Sequence, residues 1–153
     1  MTIPIFMQTN VAIRAEHPSL RPLRAHPSDA GADLFSNSYD IIHPGTQSLI
    51  DTGVAVQIPM GFVGLVYNRS SQGKIGIQLA NSVGVIDSDY RGNIKVLLKN
   101  NGETPYVINA QETRIAQLVI TPIVLAHFGD FTGTDEEWNN TKRGTGGFGS
   151  TGT

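Results

Sequence analysis

Several short polar stretches of the chain hold the residue types that chemistry needs. Residues 81–92, NSVGVIDSDYRG, gather Asn81, Asp87, Asp89, Tyr90 and Arg91 beside a turn. A carboxylate in such a place can take a proton from water, and an asparagine amide offers both a donor and an acceptor. The same residues would also serve a plain β-hairpin with aspartates at its turn positions. Residues 68–76, NRSSQGKIG, set Arg69, Ser70, Ser71 and Lys74 near a possible helix start. Hydroxyls and backbone N–H groups there can hold phosphate, and an ordinary N-cap uses the same types. Residues 28–36, SDAGADLFS, place Asp33 between small residues and an apolar pair. In TRIAQLV, Arg114 and Gln117 stand three apart, which on a regular strand sends them to opposite faces. A polar side chain on an otherwise apolar strand needs a partner or a ligand. The tail RGTGGFGSTGT has one charge, Arg143, and one large apolar side chain, Phe148. Its composition is that of a loose linker, yet such a segment can also close over a ligand.

Other chemistries are poorly served. Of the 4 histidines, His17, His26 and His43 each precede proline and His127 stands alone, so no pair has metal-ligand spacing. With no cysteine there is no disulfide scaffold or cysteine zinc site, which is consistent with a reducing cytosol. The glycine-rich tail lacks the lysine of a phosphate-binding P-loop and has no room for the helix that should follow. A net charge of −2 gives no footprint for duplex nucleic acid or an anionic membrane. No apolar run reaches spanning length, and MTIPIFMQTN has no basic n-region before a long apolar stretch. The expectation is a soluble cytoplasmic protein with no nucleic-acid or membrane partner.

Strands must position these groups. The apolar period is two: Val54, Val56 and Ile58 share one face in SLIDTGVAVQIP, and Ile94, Val96 and Leu98 oppose Lys95 and Lys99 in NIKVLLKN. TPYVINA and RIAQLVITPIVLAHF are rich in β-branched residues; Pro122 divides the second, which is expected to form two strands meeting near Thr121–Pro122. HPG at 43–45, PMG at 59–61 and NNGETP at 100–105 mark turns. One helical turn is possible near Ser70–Gly73. With 153 residues, 17 glycines and 8 prolines scattered along it, the chain reads as one all-β domain, a jelly-roll-like sandwich or barrel. From residue 128 the pattern stops, and GDFTGTDEEWNNTK reads as an extended connection. The expected division is a β domain over residues 1–127 and a C-terminal arm over 128–153.

In this order, AGADL (30–34), RSSQGK (69–74), GVIDSDYRG (84–92), RIAQL (114–118) and RGTGGFGSTG (143–152) resemble the five motifs of the homotrimeric dUTPase family. The resemblance spans nearly the whole chain. It implies a jelly-roll homotrimer with a flexible C-terminal arm that hydrolyses dUTP to dUMP and pyrophosphate with Mg2+. It implies Asp87 as the general base for the water attacking the α-phosphorus. Asn81 and the backbone of an 81–90 hairpin, including Gly84, Val85 and Ile86, would read the uracil edge. Tyr90 would pack on the deoxyribose. Arg69, Ser70, Ser71 and Gln117 would hold phosphates, Gln117 alternatively holding water, and Asp33 would reach the metal through its water shell. From the arm, Arg143 would meet the γ-phosphate, Phe148 would stack on uracil, and Gly149 and Ser150 would complete the clamp. Each site would draw on three subunits: one for the first, second and fourth motifs, another for the third, the last for the arm.

Three positions depart from the family pattern: Asn68 for a usual proline, Ser71 for a common glycine, and NAQETR for the usual Pro-Gly-Glu turn. None removes a group with an implied chemical role. Two alternatives share the fold. A dCTP deaminase needs a carboxylate base on the strand after the third motif, where alignment through Gly92 puts Leu97. A non-catalytic regulatory protein would be expected to have lost Asp87 or Arg143, and both are present.

Overall fold

The alternating runs pair into two packed sheets. The computed structural model describes residues 8–147. Its strands are β1 (Ala12–Ala15), β2 (Ala32–Phe35), β3 (Asp40–Ile42), β4 (Gln47–Gln57), β5 (Phe62–Tyr67), β6 (Ile77–Leu79), β7 (Gly84–Ile86), β8 (Asn93–Asn100), β9 (Tyr106–Ile108) and β10 (Arg114–Pro122), with helices α1 (Ser70–Lys74) and α2 (Asp135–Asn139). One sheet has the order β1-β4-β8-β6, the other β2-β10-β5-β7, and β3 pairs with β9 alone. This is the expected all-β sandwich.

The faces that period two assigned to the interior are inside. Val54, Val56 and Ile58 meet Ile94, Val96 and Leu98, and the second sheet adds Leu34, Val66, Ile115 and Leu118 to the same core. Lys95 and Lys99 are exposed. Two of the expected turns close by hydrogen bonds, Thr46 N–H to His43 O at 3.0 Å and Phe62 N–H to Pro59 O at 3.1 Å. The helical turn near Ser70 is α1.

Three expectations need correction. RIAQLVITPIVLAHF is one strand, not two: β10 runs to Pro122, whose partner on β5 is Phe62, and residues 123–130 have no strand partner. Pro122 is accommodated within the ladder, and the next residue still donates, Ile123 N–H to Gly61 O at 2.9 Å, where β5 itself begins at the 59–62 turn. Second, residues 81–90 are not a hairpin. β6 lies in one sheet beside β8, and β7 lies in the other beside β5, so the segment crosses the sandwich edge. Third, the polar stretch after residue 128 contains α2. Thr134 Oγ1 accepts from Glu137 N–H at 3.2 Å, and Glu137 Oε2 accepts from Thr134 N–H at 2.7 Å, a complete capping box. Phe131 packs edge-on to Trp138 with ring centroids 5.0 Å apart. Among the described residues no helix is long and apolar enough to cross a membrane.

Candidate active site

The cleft grows out of neighbouring strands of one sheet. In the ladder, Asp33 of β2 stands opposite Gln117 of β10, and Gln117 stands opposite Tyr67 of β5. β5 leads directly into α1, so Arg69, Ser70 and Ser71 emerge beside Asp33 and Gln117. Arg114 joins them against expectation. The β10–β2 register shifts between Arg114 and Ala116, and Ile115 and Ala116 are both buried although adjacent. A bulge adds one residue and cancels the strict alternation. Arg114 and Gln117 therefore border the same cleft.

Asp33 is the hub of this cluster. Its Oδ1 accepts from Arg69 Nε at 2.8 Å; its Oδ2 accepts from Arg114 Nη1 at 3.1 Å and Arg69 Nη2 at 3.4 Å. The carboxylate side chain is 16% exposed, against 25% for Arg69 and 41% for Arg114. The Asp33 backbone is pinned on its other side by reciprocal bonds with Leu23 at 2.7 and 3.1 Å. Two guanidinium groups on one carboxylate leave these three groups net positive, with the Asp29 carboxylate lining the same cleft. Arg69 also donates from Nη1 to Ser71 Oγ at 3.4 Å, and the guanidinium carbon of Arg114 lies 6.0 Å from the Phe35 ring centroid.

Gln117 fills the floor. Its Nε2 donates to the Asn68 carbonyl at 2.9 Å. Its Oε1 lies so near Gly31 that a β-carbon there would sit 2.2 Å away. Gly31 is thus required by the glutamine that it faces. The resulting cleft, about 510 Å³, is lined by Asp29, Gly31, Asp33, Arg69, Ser70, Ser71, Arg114 and Gln117 among others. A second hollow of about 400 Å³ adjoins it across Arg69 and Arg114, walled by Gln72, Tyr106, Glu112 and Thr113. Asp29 and Gly31 were not singled out in the sequence; the signal was the run of small residues before Asp33.

The third motif lies elsewhere on the chain. Asn81, Val85, Asp87 and Tyr90 are exposed, and none of residues 81–90 lines either hollow. Gly84, Val85 and Ile86 form β7 and pair with Val66, Leu65 and Gly64. Asp87 begins the turn that follows, closed by Tyr90 N–H to Asp87 O at 3.2 Å. Tyr90 folds back and donates its hydroxyl to Asn93 O at 2.9 Å. Its ring crosses Gly92 so closely that a β-carbon there would be 2.5 Å from the phenolic oxygen. Arg143 donates from Nε to Gly146 O at 2.9 Å and lines neither hollow. Phe148, Gly149 and Ser150 lie outside the described residues.

A single chain therefore presents a polar cleft and, apart from it, an exposed carboxylate–tyrosine turn. A family model described as dUTPase matches residues 18–152. The chain belongs to the dUTPase family. It is 43% identical over 144 residues to a deoxyuridine 5′-triphosphate nucleotidohydrolase of Corynebacterium diphtheriae, covering 93% of this chain and 92% of that protein. A protein of the same name from Mycobacterium marinum is 43% identical over 150 residues, covering 95% and 97%. Among solved structures, a mutant dUTPase of Staphylococcus bacteriophage 80alpha with dUpNHpp superposes at a TM-score of 0.80 and 28% identity, covering 95% of this chain and all of that one, 100%. A mutant dUTPase of phage phi11, described for its coordination of a structural Mg(II) ion, gives 0.74 at 29% identity over 84% of this chain and 99% of its own. As a member of the dUTPase family the chain is a dUTP diphosphatase, a hydrolase of dUTP.

Toward Mg2+ the described cleft offers two carboxylates, Asp29 and Asp33. Among the described residues no group of three or more histidine, aspartate and glutamate side chains comes together. Both oxygens of Asp33 already accept from arginines. Such a carboxylate suits a hydrated cation whose direct ligands come from substrate phosphates.

Proposed function

We propose that the chain hydrolyses dUTP to dUMP and pyrophosphate by attack of water on the α-phosphorus, at a site completed by neighbouring copies in a homotrimer. The observation that carries this reading is the separation of the Asp33–Arg69–Arg114–Gln117 cleft from the exposed Asp87–Tyr90 turn. Each half is open to a partner. After Pro122 the chain also leaves its own body with large apolar side chains uncovered: Val124 is 91% and Phe128 92% exposed. Apolar surface of that kind marks an interaction site, and a second copy of this chain would cover it.

In this reading the first, second and fourth motifs of one copy face the third motif of the next. Arg69, Ser70, Ser71 and Gln117 hold the phosphates, with Gln117 positioned as well to hold water. Asp33 holds hydrated Mg2+ through water. When bound, Mg2+ screens the charge of the phosphates. Asp87 takes the proton of the attacking water, and its exposed carboxylate has room to do so. Positioning and charge neutralisation do most of what phosphoryl-type transfer requires. Asn81 and the backbone of Gly84, Val85 and Ile86 read the uracil edge. The Tyr90 ring packs on the deoxyribose and leaves no room for a 2′-hydroxyl. Arg143, Phe148, Gly149 and Ser150, carried by the arm over 128–153 from the domain over 1–127, close the site from a third copy. The reaction keeps uracil out of DNA and supplies dUMP for thymidylate synthesis, in the cytoplasm, or the host cytoplasm for a viral protein.

The test is pyrophosphate release with dUTP, dTTP, dCTP and UTP in parallel. A site built on hydrogen bonds to one base edge rejects a base with the reversed donor pattern by about 10⁴ or more. Comparable kcat/KM for dUTP and dCTP would sink the base-reading half of the proposal.

A further inference from the structure

Asn68 lies between the last residue of β5 and the N-cap of α1, and it is half-buried. Its side chain and its main chain make separate bonds. Nδ2 donates to the Ile77 carbonyl at 2.9 Å, which ties the approach to α1 onto β6. The Asn68 carbonyl accepts from Gln117 Nε2 at 2.9 Å. Oδ1 is fully buried and has no partner among the described residues. A β-carbon on Gly73 would stand 3.4 Å from Nδ2, so α1 closes over the amide. Leaving a buried acceptor unpaired is costly. The one bond that the Asn68 side chain does make therefore bears the whole consequence of keeping an amide at this place.

The second bond, to the Asn68 carbonyl, orients Gln117. A glutamine amide has a donor end and an acceptor end that exchange places when it rotates. The Asn68 carbonyl receives the donor end, which turns Oε1 toward Gly31 and the cleft. The direction of that carbonyl depends on how residue 68 is held, between β5 and α1, and Nδ2 on Ile77 is the side-chain contact that helps to hold it. We propose that Asn68 is a positioning residue: its latch on β6 fixes the main-chain acceptor that sets the orientation of the Gln117 amide. The inference rests on the reading of Gln117 as a group that contacts phosphate or the attacking water.

The experiment is a double-mutant cycle on the full chain, with Asn68→Ala, Gln117→Ala and the pair, each assembled and its melting temperature recorded. A misaimed group at a reacting centre costs turnover before it costs binding. Asn68→Ala is expected to lower kcat about tenfold with KM within about twofold. In the Gln117→Ala background the same change should cost nothing further, because the group that it positions is gone. Asn68→Ser, whose hydroxyl is too short to reach Ile77, takes the place of Asn68→Ala if the alanine variant does not fold. Losses that multiply in the double variant would overturn the inference, since a merely structural effect at residue 68 acts with or without Gln117. Unchanged kcat in Asn68→Ala beside an impaired Gln117→Ala overturns it while leaving the reading of Gln117 intact. Full activity in Gln117→Ala removes that reading and the inference together.

Discussion

Arg114 reaches Asp33, with Nη1 donating to Oδ2 at 3.1 Å, because β10 gains a residue between Arg114 and Ala116. Without the bulge Arg114 would point to the other face of the strand, and Arg69 alone would meet the carboxylate. The bulge therefore turns a single ion pair into a two-arginine cluster facing the cleft.

Asp33→Asn tests that cluster. The change leaves two guanidinium groups beside each other without a counter-charge. A loss of about 1–3 kcal/mol in stability is expected, reduced in high salt because all three groups are partly exposed. A non-hydrolysable dUTP analogue should restore much of the lost melting temperature, its phosphates replacing the carboxylate. An analogue that stabilises the variant no more than wild type would mean that the arginines do not face the triphosphate.

Asp87→Asn tests the base. The substitution keeps shape and removes basicity. Turnover should fall by about 10²–10⁴, while affinity for the non-hydrolysable analogue changes little. Normal hydrolysis by Asp87→Asn would assign the proton transfer to another group.

Gly92→Ala tests sugar selection. The Tyr90 ring occupies the space that a β-carbon at Gly92 would take. The alanine should push the ring from its bond with Asn93 O and weaken rejection of UTP. The ratio of kcat/KM for dUTP over UTP is the readout, and an unchanged ratio with Tyr90 displaced would separate the ring from discrimination against the 2′-hydroxyl.

What the sequence disclosed follows from what is local in it. Alternation at Val54–Ile58 and Ile94–Leu98 reports which side of a strand is buried, and both faces lie as expected. The partner of a strand is not local. The stretch from Asn81 to Tyr90 has the composition of a hairpin, and only the packing of two sheets sends β6 and β7 apart. The bulge at Arg114 has no local signature, because two adjacent apolar residues, Ile115 and Ala116, also suit a regular strand with one small outward residue. The capping box of α2 was legible in Thr134 and Glu137 and was hidden by the polar composition around it. The motif residues taken singly also suited ordinary turns and caps; their order along the chain and its resemblance to the dUTPase family picked them out, but their grouping into one cleft and one separate turn required the fold.

The most direct measurement mixes two inactive variants. One carries Asp87→Ala with the arm intact; the other ends at Lys142 and keeps Asp87. Each alone should be nearly inactive on dUTP. Refolded together in equal amounts, the copies assort at random around a closed ring, and a site works when its Asp87 comes from the truncated kind and its arm from the other. Roughly a quarter of sites should then be competent, so dUTP hydrolysis should return to about that share of wild type. Activity that stays at background after verified exchange of copies would contradict the shared site and would mean that Asp87 and the arm must come from the same copy, whereas a variant ending at Lys142 that is active alone would mean that the tail has no part in the reaction.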